Sequence, residues 1–226
     1  MTFVLLFILS AAAAYLLGSL SCSILFTRVF TGADVRRHGS HNAGATNVLR
    51  IAGRMPAILA FVGDFLKCVA AILAADLLSQ AFHASPLQTD IVRYCAGIFC
   101  ILGHIYPVYF GFRGGKGVTS AAALLLMLDW RVFAIGISLF ILLVILTRIV
   151  SLSSICAVLS VVILTFVFGW IDHSPYILPN TLLIAVMAGI IIGKHAPNIK
   201  RLLNGTEKHI HEGRAPHVHA RKPGRS

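Results

Sequence analysis

The sequence predicts an all-α, polytopic membrane protein. Of its 226 residues, 58% are hydrophobic and only 12% are charged, which excludes an ordinary soluble domain. Apolar runs near the roughly 20 residues that a helix needs to cross a bilayer recur along the chain. We count seven such runs, at residues 3–27, 54–81, 92–110, 117–129, 132–150, 152–170 and 177–194.

The first two runs already show how the bundle is built. No Lys or Arg precedes the apolar run at residues 3–27, and the run continues past Gly18. Both features favour a retained span over a cleaved signal peptide. The second run carries Asp64 and Lys67 three residues apart. Charges at that depth are costly, so we expect the two to pair and to face the bundle interior.

The fourth and seventh runs are the weakest of the set. Residues 117–129 are short and end at Asp129, whereas residues 177–194 begin close to Pro175 and Pro179. A five-span bundle is therefore the alternative count. Both counts are odd, so the two termini are expected on opposite sides of the membrane.

Basic residues predict the orientation, because Lys and Arg accumulate in cytoplasmic loops. With an external N-terminus and a cytoplasmic C-terminus, sixteen of the nineteen Lys and Arg residues fall on the cytoplasmic side. The net charge of +11 is then mainly a topology signal, and nucleic-acid binding is the weaker explanation. We expect one integral-membrane domain at residues 1–204 and a basic, disordered cytoplasmic tail at residues 205–226.

Three polar segments interrupt the apolar chain, and the predicted orientation places all three in the cytoplasm. They are residues 39–50, 113–119 and 194–201, and each combines cations, hydroxyls or amides with small residues. That composition is typical of a phosphate-binding loop. Segments on one side of the membrane can meet at a single site.

The segment 113–119 has the clearest anion-binding pattern. Glycine permits close approach of the backbone to a ligand, and amides at the start of an apolar helix bind anions. Its candidate ligand-binding residues are Gly114, Gly115, Lys116 and Gly117. A nucleotide P-loop is excluded, because Phe110 and Gly117 stand where that motif needs Gly and Ser or Thr.

The segment 39–50 supplies hydroxyls, amides and a guanidinium. If its end is helical, Thr46 and Arg50 share one face and could bind one phosphate or polyol. Ser40 is a conceivable nucleophile, but the sequence shows no His and carboxylate to activate it. The candidate residues here are Ser40, Asn42, Thr46, Asn47 and Arg50.

The third segment repeats polar residues every three positions. His195, Asn198 and Arg201 therefore lie along one face of a helix, with Pro197 suited to its first turn. His195 could donate to an anion or a sugar hydroxyl. Arg201 could bind phosphate or a carboxylate such as Glu207.

These motifs, taken in order, resemble the bacterial membrane acyl-phosphate:glycerol-3-phosphate acyltransferases. The resemblance covers most of the chain. It rests on Gly18-Ser19, Gly39-Ser40, Asn42, residues 44–50 (GATNVLR), Asp64, Lys67, residues 103–108 (GHIYPV), residues 114–118 (GGKGV), His195, Asn198-Ile199, Arg201-Leu202 and Glu207.

The resemblance implies a seven-helix bundle in the bacterial inner membrane, with a site facing the cytoplasm. It implies transfer of a fatty acyl group from acyl phosphate to the 1-hydroxyl of glycerol 3-phosphate, giving lysophosphatidate and phosphate. Ser40, Lys116 and His195 are then the expected catalytic residues, and either His195 or the substrate phosphate takes the proton. Asn42, Thr46, Asn47, Arg50, Gly114, Gly115, Gly117, Asn198, Arg201 and Glu207 are expected to bind substrate. We expect the two substrates and the lipid bilayer as partners, with no metal, cofactor or nucleic acid.

Three residues depart from the family pattern. His41 and Cys68 stand where glycine is expected, and Pro197 stands where an acidic residue is common. None of them removes a cation from the proposed phosphate sites, so activity is still expected.

Two other classes of function are open at this point. A thioester-dependent acyltransferase typically shows HxxxxD, which this sequence lacks. A transporter of phosphorylated metabolites would need polar residues through several spans, and beyond Asp64 and Lys67 the spans are almost wholly apolar.

Overall fold

The computed structural model describes residues 2–210, and within that part of the chain every regular element is helical. Ten α-helices form: α1 (Thr2–Gly18), α2 (Cys22–Thr31), α3 (Ala45–Ala52), α4 (Arg54–Ala81), α5 (Pro86–Ile105), α6 (Val118–Leu128), α7 (Trp130–Thr147), α8 (Val150–Ile171), α9 (Ile177–Lys194) and α10 (Ala196–Leu203). The prediction of an all-α polytopic membrane protein is confirmed.

Six segments within residues 2–210 are long and apolar enough to cross a membrane. They are Thr2–Thr31, which combines α1 and α2, then Arg54–Ala81, Pro86–Phe110, Trp130–Thr147, Val150–Ile171 and Ile177–Lys194. The predicted span missing from this set is the fourth run, residues 117–129, which corresponds to α6 and has only 11 helical residues. At 1.5 Å per residue it is about 16 Å long, well short of the hydrocarbon thickness.

The short α6 still connects the two ends of the bundle. Its first residue follows the loop that holds Lys116, and we call this end of the molecule the site end. At its last turn, Arg93 of α5 donates to the carbonyl of Met127 at 3.4 Å. Just beyond, Arg131 binds Asp172 at the end of α8. The predicted seven-segment arrangement is therefore kept, with α6 as a short segment enclosed by its neighbours.

The first span is broken where the sequence suggested one continuous helix. The chain leaves α1 at Gly18 and enters α2 at Cys22, and the break leaves backbone groups such as the carbonyl of Leu20 and the amide of Cys22 outside the hydrogen-bond pattern of either helix. Lys67 of α4 donates to the carbonyl of Leu20 at 2.8 Å, and the amide of Cys22 donates to Asp64 at 3.3 Å. The break and the buried charges thus satisfy one another, as the bilayer interior requires.

Close packing of α1 against α5 depends on two glycines. A Cβ at Gly18 would clash with the backbone of Cys100, and a Cβ at Gly103 would clash with the carbonyl oxygen of Tyr15. Small residues let two membrane helices approach at backbone distance. This contact fixes the height of the last turn of α5, which carries His104.

Candidate active site

One cavity of about 1230 Å³ opens between the loops of the site end. Every one of the thirteen predicted site residues lines it: Ser40, Asn42, Thr46, Asn47, Arg50, Gly114, Gly115, Lys116, Gly117, His195, Asn198, Arg201 and Glu207. The three polar segments therefore meet, as expected of loops on the same side of a membrane. The cavity is larger than one phosphate needs, and its far part is lined by apolar side chains of the helices.

The apolar part of the cavity runs between α4 and α7, with α6 between them. Its walls come from Phe61 and Phe65 of α4 and from Phe133 and Phe140 of α7. Phe61 is 46% exposed, so this part opens onto the outer surface of the bundle. The first turns of α6 contribute only the small side chains of Ala121 and Ala122 to this wall, which leaves the groove wide there.

Segment 39–50 is held in shape by Asn47. Its side-chain amide donates to the carbonyls of Val35, His38 and Asn42, and its carbonyl oxygen accepts from the amide of Ser40 at 2.9 Å. Asn47 is only 1% exposed. Sequence reasoning assigned it to substrate binding, but its polar atoms are occupied within the loop, so it shapes the site.

The expected glycine at position 41 has a structural reason. His41 has φ +57°, in the left-handed region where glycine is favoured, although His tolerates it better than most residues. Its ring also contacts the carbonyl of Arg36 at 3.2 Å. The departure is therefore accommodated locally. The hydroxyl of the neighbouring Ser40 makes no hydrogen bond within residues 2–210, so no protein base activates it there.

The glycine loop uses two of its amides within the fold. The amide of Gly114 donates to the carbonyl of Ile105, and that of Gly115 donates to the carbonyl of His104, which closes the C-terminus of α5. Both amides were expected to bind substrate, and in this structure both are hydrogen-bonded within the fold. Amides at the start of α6, from Val118 to Ser120, are the ones that lack a partner within the helix.

Lys116 reaches from this loop to the third polar segment. Its Nζ donates to Oδ1 of Asn198 at 2.6 Å. Burial lowers the pKa of Lys116 to about 8; nearby Glu207 opposes this shift, whereas Arg201 and Arg50 add to it. The ammonium is therefore in a partly dry, cation-rich place, where an anionic ligand would bind it strongly.

Glu207 ties the third segment together. One oxygen accepts from Asn198 at 2.6 Å and from Ser151 at 2.7 Å, and the other accepts from Arg201 at 2.6 Å. These hydrogen bonds lower the pKa of Glu207 against the effect of burial. Ser151 was missed by sequence reasoning, because a lone Ser at the start of an apolar helix carries no signal.

The contacts of Glu207 also move the domain boundary. Glu207 and Lys208 line the cavity, and the amide of Ile210 donates to the carbonyl of Arg148 at 2.8 Å. The expected tail at residues 205–226 therefore starts too early. Residues 205–210 belong to the folded domain, and residues 211–226 lie outside the described part of the chain.

His195 presents one defined nitrogen to the cavity. Its Nδ1 lies 2.8 Å from the carbonyl oxygen of Ile191, which can only accept a hydrogen bond, so Nδ1 carries the hydrogen and donates it. Burial, reinforced by Lys116, lowers the pKa of His195 to about 4. The ring is therefore neutral near pH 7, and Nε2 is a hydrogen-bond acceptor, in contrast to the donor role expected from the sequence.

Positive charge dominates the polar part of the cavity. Among the described lining residues there are five cations, Arg50, Lys116, Lys194, Arg201 and Lys208, against two carboxylates, Asp64 and Glu207. Asp64 is neutralised by Lys67 at 2.7 Å. The site can therefore hold more than one anionic group, directly beside an apolar groove.

A helical membrane bundle with a cationic cavity that continues into an apolar groove is the class of membrane protein that can bind amphipathic anions. Residues 8–205 match the family described as glycerol-3-phosphate acyltransferase. The chain belongs to this family, and it is an integral membrane acyltransferase.

Several relatives support this assignment. A glycerol-3-phosphate acyltransferase of Synechococcus elongatus is 39% identical over 88% of this chain and 92% of its own length. One of Pseudomonas savastanoi pv. phaseolicola is 40% identical over 91% of this chain and 98% of its own length.

Solved structures agree. The glycerol 3-phosphate form of PlsY (YgiH), an integral membrane glycerol 3-phosphate acyltransferase, superposes with a TM-score of 0.77 at 33% identity, covering 90% of this chain and 94% of that one. The lysophosphatidic acid form of PlsY gives a TM-score of 0.74 at 32% identity, with the same coverage.

Proposed function

We propose that this protein transfers a fatty acyl group from acyl phosphate to the 1-hydroxyl of sn-glycerol 3-phosphate, giving lysophosphatidate and phosphate. The observation that carries the proposal is the single cavity with a cationic part and an apolar groove. The two substrates together carry two anionic phosphate groups and one acyl chain. This composition matches what the cavity offers.

Acyl phosphate as the donor agrees with what the site contains. The mixed anhydride is already activated, so the protein mainly needs to align two anions and stabilise developing charge. Lys116 and the amides from Val118 to Ser120 are placed to hold the acyl-phosphate group, while Ser40, Asn42 and the shared helix face of Thr46 and Arg50 are close by. Among residues 2–210 no side chain is hydrogen-bonded to the Ser40 hydroxyl to activate it, which argues against a covalent seryl intermediate.

Glycerol 3-phosphate is assigned to Arg50, Asn198 and Arg201. Its 1-hydroxyl oxygen attacks the carbonyl carbon of the acyl phosphate, the bond from that carbon to the phosphoryl oxygen breaks, and phosphate leaves. His195 Nε2 can accept the hydrogen bond of the attacking hydroxyl. With a pKa of about 4 it is a weak base near pH 7, so we assign the proton to a substrate phosphate oxygen and the orientation to His195.

The apolar groove between α4 and α7 is assigned to the acyl chain. Its open side at Phe61 lets a lipid-soluble donor and product exchange with the bilayer without crossing water. We place the site end in the cytoplasm of a bacterial inner membrane, with the N-terminus external and the C-terminus cytoplasmic, because the loops rich in Arg and Lys lie at this end.

The test uses purified protein, labelled glycerol 3-phosphate and either palmitoyl phosphate or palmitoyl-CoA. We expect lysophosphatidate from the phosphate donor alone. Product from palmitoyl-CoA alone would assign the enzyme to thioester donors. No product from either donor, with the protein folded, would reject the proposal and leave transport of phosphorylated metabolites as the alternative.

A further inference from the structure

A buried ionic network beneath the glycine loop is not used by the mechanism above. Asp64, Lys67 and His104 are 2%, 7% and 3% exposed, respectively, and come from α4 and α5. Asp64 and His104 nevertheless line the cavity. The network is therefore buried in the helical bundle and reaches the cavity through two of its three members.

Hydrogen bonding fixes the tautomer of His104. Lys67 Nζ contacts Asp64 Oδ1 at 2.7 Å, the carbonyl of Leu20 at 2.8 Å and His104 Nδ1 at 3.0 Å. An ammonium has three donors and no acceptor, so these three neighbours must all accept. Nδ1 then carries the lone pair. The 3.5 Å approach of Nδ1 to Asp64 is the longer contact and does not alter this assignment.

The proton of His104 consequently lies on Nε2, at the edge of the ring that faces the glycine loop. A Cβ at Gly115 would clash with this nitrogen and with the carbonyl oxygen of Ala43, so Gly115 leaves Nε2 room at the loop. Within residues 2–210, Nε2 makes no hydrogen bond. It is a donor without a hydrogen-bond partner among these residues, on a residue that is 3% exposed and lines the cavity.

We propose that the Nε2–H of His104 donates a hydrogen bond to an oxygen of the acyl-phosphate group, with Lys67 and Asp64 as positioning residues that hold its tautomer. This inference rests on the proposed function and adds a substrate contact from the floor of the site. His104 and His195 then have opposite hydrogen-bonding roles. One neutral imidazole presents a donor for the acyl phosphate, and the other presents an acceptor for glycerol 3-phosphate.

Two isosteric variants separate the two nitrogens of His104. In His104→Asn, the carboxamide reaches only as far as Nδ1, so it can accept from Lys67 but cannot reach the ligand. In His104→Gln, the amide nitrogen reaches the position of Nε2 and keeps the donor. We measure kcat and KM for each substrate, inhibition by inorganic phosphate, and the thermal unfolding midpoint, in purified full-length protein.

We expect His104→Asn to keep a near wild-type midpoint and to lose about 10- to 100-fold in kcat/KM for palmitoyl phosphate, the size of a hydrogen bond to a charged group. Phosphate inhibition should weaken, while the KM of glycerol 3-phosphate stays unchanged. His104→Gln should recover most of the activity with a lower midpoint. Wild-type kinetics in the folded Asn variant, or a folded Gln variant no better than Asn, would overturn the proposal.

Failure of this inference is distinct from failure of the proposed function. If the wild type makes lysophosphatidate from palmitoyl phosphate and the Asn variant does so equally well, only the role of His104 is lost. If the wild type fails with palmitoyl phosphate, the donor assignment is lost as well. Phosphate-induced thermal stabilisation then tests the His104 contact without turnover, because His104→Asn should reduce it and an unchanged shift would reject the contact.

Discussion

The two polar walls of the cavity are built in different ways. The inner wall consists of Asp64 and His104, which line the cavity, together with Lys67, which binds both from outside its lining. These side chains are almost fully buried, and they contact backbone groups, one another and the hydroxyl of Ser23. The outer wall consists of His195, Asn198, Arg201 and Glu207, which all line the cavity, although His195 and Asn198 are themselves only 1% and 7% exposed. There, Arg201 is 40% exposed in its ion pair with Glu207.

Because of this difference, we expect the inner wall to contribute mainly to folding stability and the outer wall mainly to substrate binding. Removing a charge from the inner wall leaves its partner buried in the bundle, which costs free energy of folding. The outer-wall side chains line the cavity, and their hydrogen bonds to one another and to Lys116 are ones that a substrate oxygen can replace. We therefore expect inner-wall charge variants to unfold more readily and outer-wall variants to keep their fold and lose turnover.

The largest expected effect follows from Lys67→Met. This change leaves Asp64 as an uncompensated buried charge, and such losses cost about 3–5 kcal/mol. The thermal unfolding midpoint in detergent should fall by many degrees. The double variant Asp64→Asn, Lys67→Met removes both charges and should recover part of the loss. A single variant as stable as the wild type would show that the inner wall does not depend on ion pairing.

The second effect concerns Lys116, which lies between the two walls. Lys116→Met should lower kcat/KM by about 10²–10³-fold, the typical loss on removing one electrostatic contact to a developing charge. Its midpoint should stay near that of the wild type, because the contact described for its ammonium is the one to Asn198. Retained turnover in the folded variant would exclude Lys116 as a substrate ligand.

The lowered pKa of Lys116 also predicts a fall of kcat/KM at alkaline pH. Burial lowers its pKa to about 8, so the ammonium is present below that pH and is lost as the pH rises through it. The value of kcat/KM, which reports the free enzyme, should therefore fall above about pH 8. In Lys116→Arg the guanidinium stays charged, so this alkaline fall should disappear even if the overall rate is lower. An unchanged alkaline limb would assign it to another group.

The sequence predicted the meeting of the three loops but not the atoms that each contributes. The distribution of basic residues predicted that all three segments lie on one side of the membrane. The seven apolar runs predicted the helical bundle that brings them together. The internal use of Asn47 and of the Gly114 and Gly115 amides depends on carbonyls whose positions only the folded chain defines. The tautomer of His104 depends in turn on Lys67 of another helix and on the break at Leu20, which a continuous apolar run conceals.

A third effect tests the protonation state of the His195 ring. Its pKa of about 4 keeps the ring neutral from about pH 5.5 to 7.5. The ratio of wild-type to His195→Ala kcat/KM should therefore be constant across this range, because titration of the substrates cancels in the ratio. A ratio that falls several-fold towards pH 5.5 would show that His195 titrates near its ordinary value and would overturn the assignment of a ring that is neutral across this range.

The smallest effect is expected from Glu207→Gln. The amide keeps an oxygen for Ser151 and Asn198 but loses the ion pair with Arg201, and partly exposed pairs contribute only about 0.2–1 kcal/mol. Turnover should change by less than about fivefold. Glu207→Ala, which removes all three contacts, is the matched comparison and should raise the KM of glycerol 3-phosphate more. If Glu207→Gln instead lost activity as severely as Lys116→Met, the carboxylate charge itself would be needed, and the outer wall would share the inner wall's dependence on a fixed ion pair.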